Sequence, residues 1–202
     1  MRTIEFVTIE VADTAVAVAF YADAFEVGNR VRLRASQAPA TGFRGFTMSL
    51  VASQPATVNR LIDSALDAGA TVLKAAAKSL WGYGGVVQAP DGTIWTVASS
   101  SKKDTGPATR QIDALVLQLG VMDVAASKRF YVDHGLTVAK SYGAKYVELD
   151  TGPVKLTLNK RRALAKTAGV SPDGTGSHRL LIASEAAGFI DPDGFAWEAP
   201  MD

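Results

Sequence analysis

Few side chains in this sequence can do bond chemistry, and their types narrow what that chemistry can be. The chain has two histidines, His134 and His178, and no cysteine. Thiolate nucleophiles, thiolate metal sites and disulfides are therefore excluded. His178 opens the apolar run GSHRLLIAS, and Glu198 ends the phrase DPDGFAWE near the C-terminus. An imidazole and a carboxylate on two strands are ligand types a divalent cation takes, yet a tightly held ion needs more ligands than two. His134, in YVDHGL, follows a helical stretch and precedes a glycine, a place the helix dipole favours for structural reasons. Two histidines without a nucleophile elbow make no Ser-His-Asp arrangement. The glycines of WGYGGVV make no dinucleotide fingerprint, because no helix opens after them.

Electrostatics removes other classes. Lys plus Arg number 21 and Asp plus Glu 20, for a net charge of +1, which gives no case for nucleic acid or anionic membrane as partner. The one dense basic run, NKRRALAK at 159–166, reads as a solvated helix face. No apolar run approaches the roughly 18 residues a membrane span needs. The N-terminal MRTIEFVTIEV alternates like a strand, unlike a signal peptide. A soluble, cytoplasmic protein is expected.

The elements that must position these residues come in two imperfect copies. TIEVADTAVAVAFYADAF (8–25) aligns with QLGVMDVAASKRFYVDHG (118–135) at a constant offset, Asp13 on Asp123 and Phe20-Tyr21 on Phe130-Tyr131. Each reads as a strand, an Asp N-cap and a helix. Each copy closes on a Pro-Asp-Gly turn and a strand, APDGTIWT and DPDGFAWE. The first copy replaces three short strands by about twenty residues of mixed polarity, 28–45. It keeps a helix from Pro55, with Val58, Leu61, Ile62, Ala65 and Leu66 in helical register. The second keeps the strands TVAK, KYVELD and VKLTLN but has only EAAG where that helix would stand. Two halves are expected, 1–100 and 110–202, with 101–109 as linker. They should pack on each other, or on a symmetry mate as a homodimer, through the sheet surfaces bearing Phe6, Phe46 and Val116.

Strand, Asp-capped helix with Phe-Tyr, strands and a closing Pro-Asp-Gly turn together resemble the glyoxalase, bleomycin-resistance and extradiol-dioxygenase superfamily, also called vicinal oxygen chelate. The resemblance covers nearly the whole chain and is most specific over 68–95. It implies an α+β fold: tandem βαβββ modules forming curved mixed sheets with helices on the outer face. Metal-dependent members hold one divalent ion with His and Glu side chains of the sheet. The resemblance places those ligand positions at Phe6, Phe46, Thr96, Val116, His178 and Glu198, with Lys155 and Thr157 on the middle strand. Only His178 and Glu198 could bind metal, so no metal or other cofactor is favoured.

The leading expectation is thus a metal-free protein that holds a small apolar or aromatic molecule in a cavity between sheets, as sequestering members of the superfamily do. The candidate ligand-binding residues are Trp81, Tyr83, Phe6 and Phe46. Trp81 and Tyr83 alternate along a strand and are expected on one face. Trp95 and Trp197, each next to the last-ligand position, are expected to face the helix-covered core. Two alternatives stay open: a metal-dependent lyase, isomerase or dioxygenase using His178 and Glu198, and a regulatory or scaffold protein without a ligand.

Overall fold

The computed structural model describes residues 2–184 and 188–199. The first half contains β1 (Ile4–Val11), α1 (Thr14–Ala24), a 3-10 turn (Gly28–Arg30), β2 (Val31–Ala35), β3 (Ala40–Gly42), β4 (Phe46–Val51), α2 (Pro55–Asp67), β5 (Thr71–Ser79), β6 (Gly82–Gln88) and β7 (Ile94–Ser99). The second contains β8 (Ala114–Val121), α3 (Val124–Asp133), β9 (Thr137–Ser141), β10 (Tyr146–Asp150), β11 (Val154–Lys160), α4 (Arg161–Ala168), β12 (Gly174–Gly176), β13 (Leu180–Ser184), β14 (Phe189–Ile190) and β15 (Ala196–Glu198). Three residues of the EAAG segment, 185–187, lie outside the described residues. No helix among the described residues is long and apolar enough to cross a membrane.

The Asp caps start their helices as the sequence implies. Asp13 accepts from the N–H groups of Ala15 and Val16, and Asp123 from those of Ala125 and Ala126. Each carboxylate satisfies two donors that a first helical turn leaves over.

The strands form an eight-stranded sheet, β5-β6-β7-β4-β8-β11-β10-β9, a five-stranded sheet, β14-β15-β13-β1-β2, and the two-stranded ribbon β12-β3. Every sheet takes strands from both halves. β4 runs antiparallel to β8 with Met48 opposite Leu117, and β1 runs antiparallel to β13 with Val7 opposite Ile182. The halves are therefore joined edge to edge by backbone hydrogen bonds, and not through the surfaces bearing Phe6 and Val116. Four parallel pairs, β1–β2, β4–β7, β8–β11 and β13–β15, mark four modules. The two complete ones build the large sheet. The module with only β1 and β2 and the one with β13 to β15 share the small sheet, so both losses fall in the same place.

Strand alternation sorts the side chains. Val7, Ile9, Met48, Leu50, Trp95, Leu115, Leu117, Leu156 and Trp197 point to the helix side. There they form one core with Phe20 and Tyr21 of α1, Leu61 and Ile62 of α2, and Tyr131 of α3. The repeated Phe-Tyr and Pro-Asp-Gly phrases belong to one device. Each turn closes with the Gly N–H on the carbonyl of the residue before Pro, Gly92 on Ala89 and Gly194 on Asp191, and each Gly has φ near +85 to +89°. That left-handed backbone suits glycine. Tyr21 of α1 then donates to Asp91 at 2.8 Å, and Tyr131 of α3 donates to Asp191. α1 follows a small-sheet strand and Asp91 precedes a large-sheet strand, whereas α3 and Asp191 are placed the other way round. The two tyrosines thus cross-tie the two sheets.

Candidate functional site

The face of the large sheet turned away from the core is where a cavity can form. Its central residues are Thr47 and Ser49 on β4, Thr96 and Ala98 on β7, Val116 and Gln118 on β8, and Lys155 and Thr157 on β11. They stand side by side in register. The Thr47 hydroxyl donates to Gln118 Oε1 at 2.9 Å. The polar groups among these residues are hydroxyls, one amide and the Lys155 ammonium, with no imidazole or carboxylate.

One end of this face is covered by α4. Leu164, Ala165 and Ala168 are buried against Phe43, Val86 and Ile94. The basic run at 159–166 is therefore amphipathic and not a wholly solvated face, because its small apolar stripe has a sheet to cover. α4 is fixed at both ends. Arg161 donates to the carbonyls of Phe43 and Pro172, at 2.6 and 2.9 Å. Lys74 Nζ lies 2.5 and 2.7 Å from the carbonyl oxygens of Lys166 and Thr167, placing a cation on the negative end of the helix.

Beside α4 a cavity of about 340 Å³ remains, bounded by β5, β6, β7 and Thr167. Ala77, Gly84 and Ala98 lie opposite one another across three strands, as do Lys74, Val86 and Thr96. This floor is flat because its middle position has no side chain. A Cβ on Gly84 would sit 2.8 Å from the Val97 carbonyl oxygen. Trp81 stands at the rim in the β5–β6 turn, 85% exposed, with Leu80 exposed beside it.

The expected site residues are scattered. Tyr83 borders the same cavity as Trp81, while it is half-buried against the helix-side core and its hydroxyl donates to Asn59 of α2 at 2.8 Å. Trp81 is free of the strand's alternation because it belongs to the turn. Phe46, 2% exposed, lies in the helix-side core opposite Leu119 and has no face toward a cavity. Phe6 lies on the outer face of the small sheet, but the Arg32 guanidinium covers its ring at 3.5 Å. Trp95 and Trp197 are both buried in the core. Thr96, read from the sequence as a ligand position, lines the cavity, whereas sequence reasoning missed Ala98, Gly84 and Thr167 as its walls. The period-2 spacing of 84 and 86, and of 96 and 98, was the available signal.

His178 and Glu198 do not assemble into a metal centre. His178 precedes β13 instead of opening it, since Arg179 takes a left-handed φ of 52°. Its ring stacks on Phe195. Nδ1 lies 2.5 Å from the Arg44 carbonyl oxygen and Nε2 lies 3.1 Å from that of Asp193. With both nitrogens so engaged, no lone pair is aimed at a cation. Glu198, on the outer face of the small sheet, stands 3.6 Å from Arg34, which also pairs with Glu10 at 2.7 Å. Among the described residues no group of three or more His, Asp and Glu side chains could hold a metal ion. The donor set does not fit the ion that the superfamily resemblance implies. His134 is a helix-end residue, its Nδ1 2.8 Å from the Phe130 carbonyl oxygen and its ring stacked on Phe130.

No family model matches the sequence, and no curated protein matches it. Solved structures do. Glyoxalase I from Zea mays superposes with a TM-score of 0.61 at 14% identity, over 98% of this chain and 91% of that one. A single-residue variant of the same enzyme gives 0.62 at 16% identity, over 97% and 92%. A putative dioxygenase from Bacillus subtilis gives 0.55 at 10% identity, over 90% and 69%. At such identities the likeness concerns fold alone. Over nearly its whole length, this chain has the glyoxalase, or vicinal oxygen chelate, fold.

Proposed function

We propose that the protein binds a small apolar or aromatic molecule without a metal ion, as a sequestering or resistance-type member of this fold group. The carrying observation is the cavity beside α4: a side-chain-poor floor, Val86 and Thr96 as walls, and an exposed indole at its mouth. A planar ligand laid on the Ala77–Gly84–Ala98 row would bury its face on the sheet and stack against Trp81. Burial supplies roughly 25 cal/mol per Å² of apolar surface, and aromatic pairing adds about 0.5–1.5 kcal/mol. Thr96 Oγ1, 3.4 Å from the Met48 carbonyl oxygen, is one of the polar groups lining the cavity. His178 and Glu198, which the metal-dependent alternative needs, are engaged elsewhere, and this favours the metal-free reading.

The test is a fluorescence titration with anilinonaphthalene sulfonate as aromatic probe. Trp81→Ala should weaken binding by about fivefold to tenfold, from the lost stacking. Trp95→Phe and Trp197→Phe should leave the affinity of the folded protein unchanged. Unchanged affinity in Trp81→Ala would refute the assignment of the site.

A further inference from the structure

The cavity beside α4 carries charge of one sign. Lys74 and Lys78 line it, and no Asp or Glu does. Among the described residues neither lysine lies within ion-pair distance of a carboxylate. A cleft with apolar walls and one sign of charge focuses that field and draws the opposite charge into it. The hydroxyls on the walls are already bonded to backbone. Thr96 donates to the Met48 carbonyl, Ser79 accepts from the Trp81 N–H, and Ser99 accepts from the Ser101 N–H.

Lys74 is the better placed of the two cations. It stands opposite Val86 and in line with Thr96, on the sheet face that carries Ala77, Gly84 and Ala98. Lys78 stands opposite Tyr83 and by alternation belongs to the other face, so its charge acts at longer range. An ammonium has three N–H donors. Two of those on Lys74 go to the carbonyl oxygens of Lys166 and Thr167, both neutral, and the third has no partner among the described residues. Thr167 is itself a wall of the cavity, which puts this ammonium at the α4 end of the floor. Trp81 stands at the opposite end, since Lys74 precedes Ala77 along the chain and Trp81 follows it in the turn after β5. The lysine stem lies against Gly169, where a Cβ would come 3.0 Å from Cε. A side chain fixed in this way has little freedom left to lose when a ligand meets it.

We infer that the ligand of this cavity is an aromatic anion. Its ring lies on the Ala77–Gly84–Ala98 row beside Trp81, and its carboxylate, at the end away from the indole, accepts from Lys74 Nζ. This rests on the cavity being the ligand site, as proposed above, and adds the charge of the ligand to it.

The test compares naphthoate with its neutral isostere naphthamide by isothermal titration calorimetry of the whole protein. Naphthoate should bind about threefold to fivefold tighter, the size of an ion pair partly open to water. Lys74→Met, which keeps the stem and loses the charge, should erase this preference, and Lys74→Arg should keep it. Lys166→Met, at an exposed position outside the cavity, should also keep it. Trp81→Ala should weaken both probes alike. Equal affinity for the two probes in the wild type, with both weakened in Trp81→Ala, overturns the anion and leaves the cavity as the ligand site. A preference that survives Lys74→Met, or is lost equally in Lys166→Met, overturns the assignment to Lys74. Binding of neither probe, or affinities untouched by Trp81→Ala, overturns the site and this inference with it. Should Lys74→Met fail to fold, lysine side-chain NMR of the wild type decides. Naphthoate, and not naphthamide, should shift the Lys74 ammonium signal, and an unshifted signal rejects the pairing.

Discussion

Asp191 and Tyr131 form the clamp most sensitive to protonation. Burial, ahead of other causes, raises the Asp191 pKa above its ordinary 3.8, although Tyr131 and two backbone N–H groups at Asp191 pull it down. A carboxyl whose folded pKa is raised contributes stability below its unfolded pKa and loses it as pH climbs through the folded value. In Asp191→Asn this dependence disappears, while Oδ1 can still accept from the N–H groups of Asp193 and Phe195. The Tm difference between wild type and Asp191→Asn should widen in favour of wild type as pH falls from about 7 to about 4. A narrowing difference would show that Asp191 is held ionised. Tyr21 and Tyr131 are raised well above 10.0 by burial first and by Asp91 and Asp191 second. Their contribution is complete below 10.0 and declines above it, so alkaline unfolding should be less steep in Tyr131→Phe. Among the tryptophans, Trp95→Phe should cost about 1–3 kcal/mol by leaving core space unfilled. Trp81→Ala, at an exposed turn, should change stability by less than about 0.5 kcal/mol. Denaturant melts of both variants measure this contrast directly.

At the scale of elements, α4 decides how much of the large sheet's outer face stays open. Leu164→Ala truncates its largest buried side chain and should destabilise by about 2–4 kcal/mol, less if the helix settles into the gap. Chemical denaturation measures it. A change under about 0.5 kcal/mol would mean that α4 does not rest on the sheet as described. The sequence announces α1, α2 and α3 clearly, because Asp13 and Asp123 have capping geometry and Val58, Leu61, Ile62 and Ala65 repeat at helical spacing. The amphipathic stripe of α4 is equally legible, since Leu164, Ala165 and Ala168 share one side, although the basic residues beside it read as a solvated face. Alternation also reads Trp95 and Trp197 into the core. It fails for Trp81, because that residue belongs to the turn before β6, where the period of two does not apply. It fails for His178, because Arg179 turns left-handed and shifts the strand's start to Leu180.

Across the whole molecule, the two copies are visible in the sequence, but how they share sheets is not. Strand pairing between β4 and β8, or β1 and β13, is set by contacts far apart along the chain that no local pattern encodes. The consequence is testable. A fragment of residues 1–104 leaves the edges of β1 and β4 unpaired, and exposed edges invite association. It should be aggregated or poorly folded, whereas a monomeric fragment with a cooperative melt would contradict the interlocked arrangement. The central claim, that the protein binds its ligand without a metal, is tested most directly by one affinity. The Kd of anilinonaphthalene sulfonate is measured after exhaustive chelation and again with added Zn, Ni or Mn. The account predicts the same Kd in every case, and the same loss in Trp81→Ala. Binding that appears only with metal, and vanishes in Glu198→Ala, would contradict it.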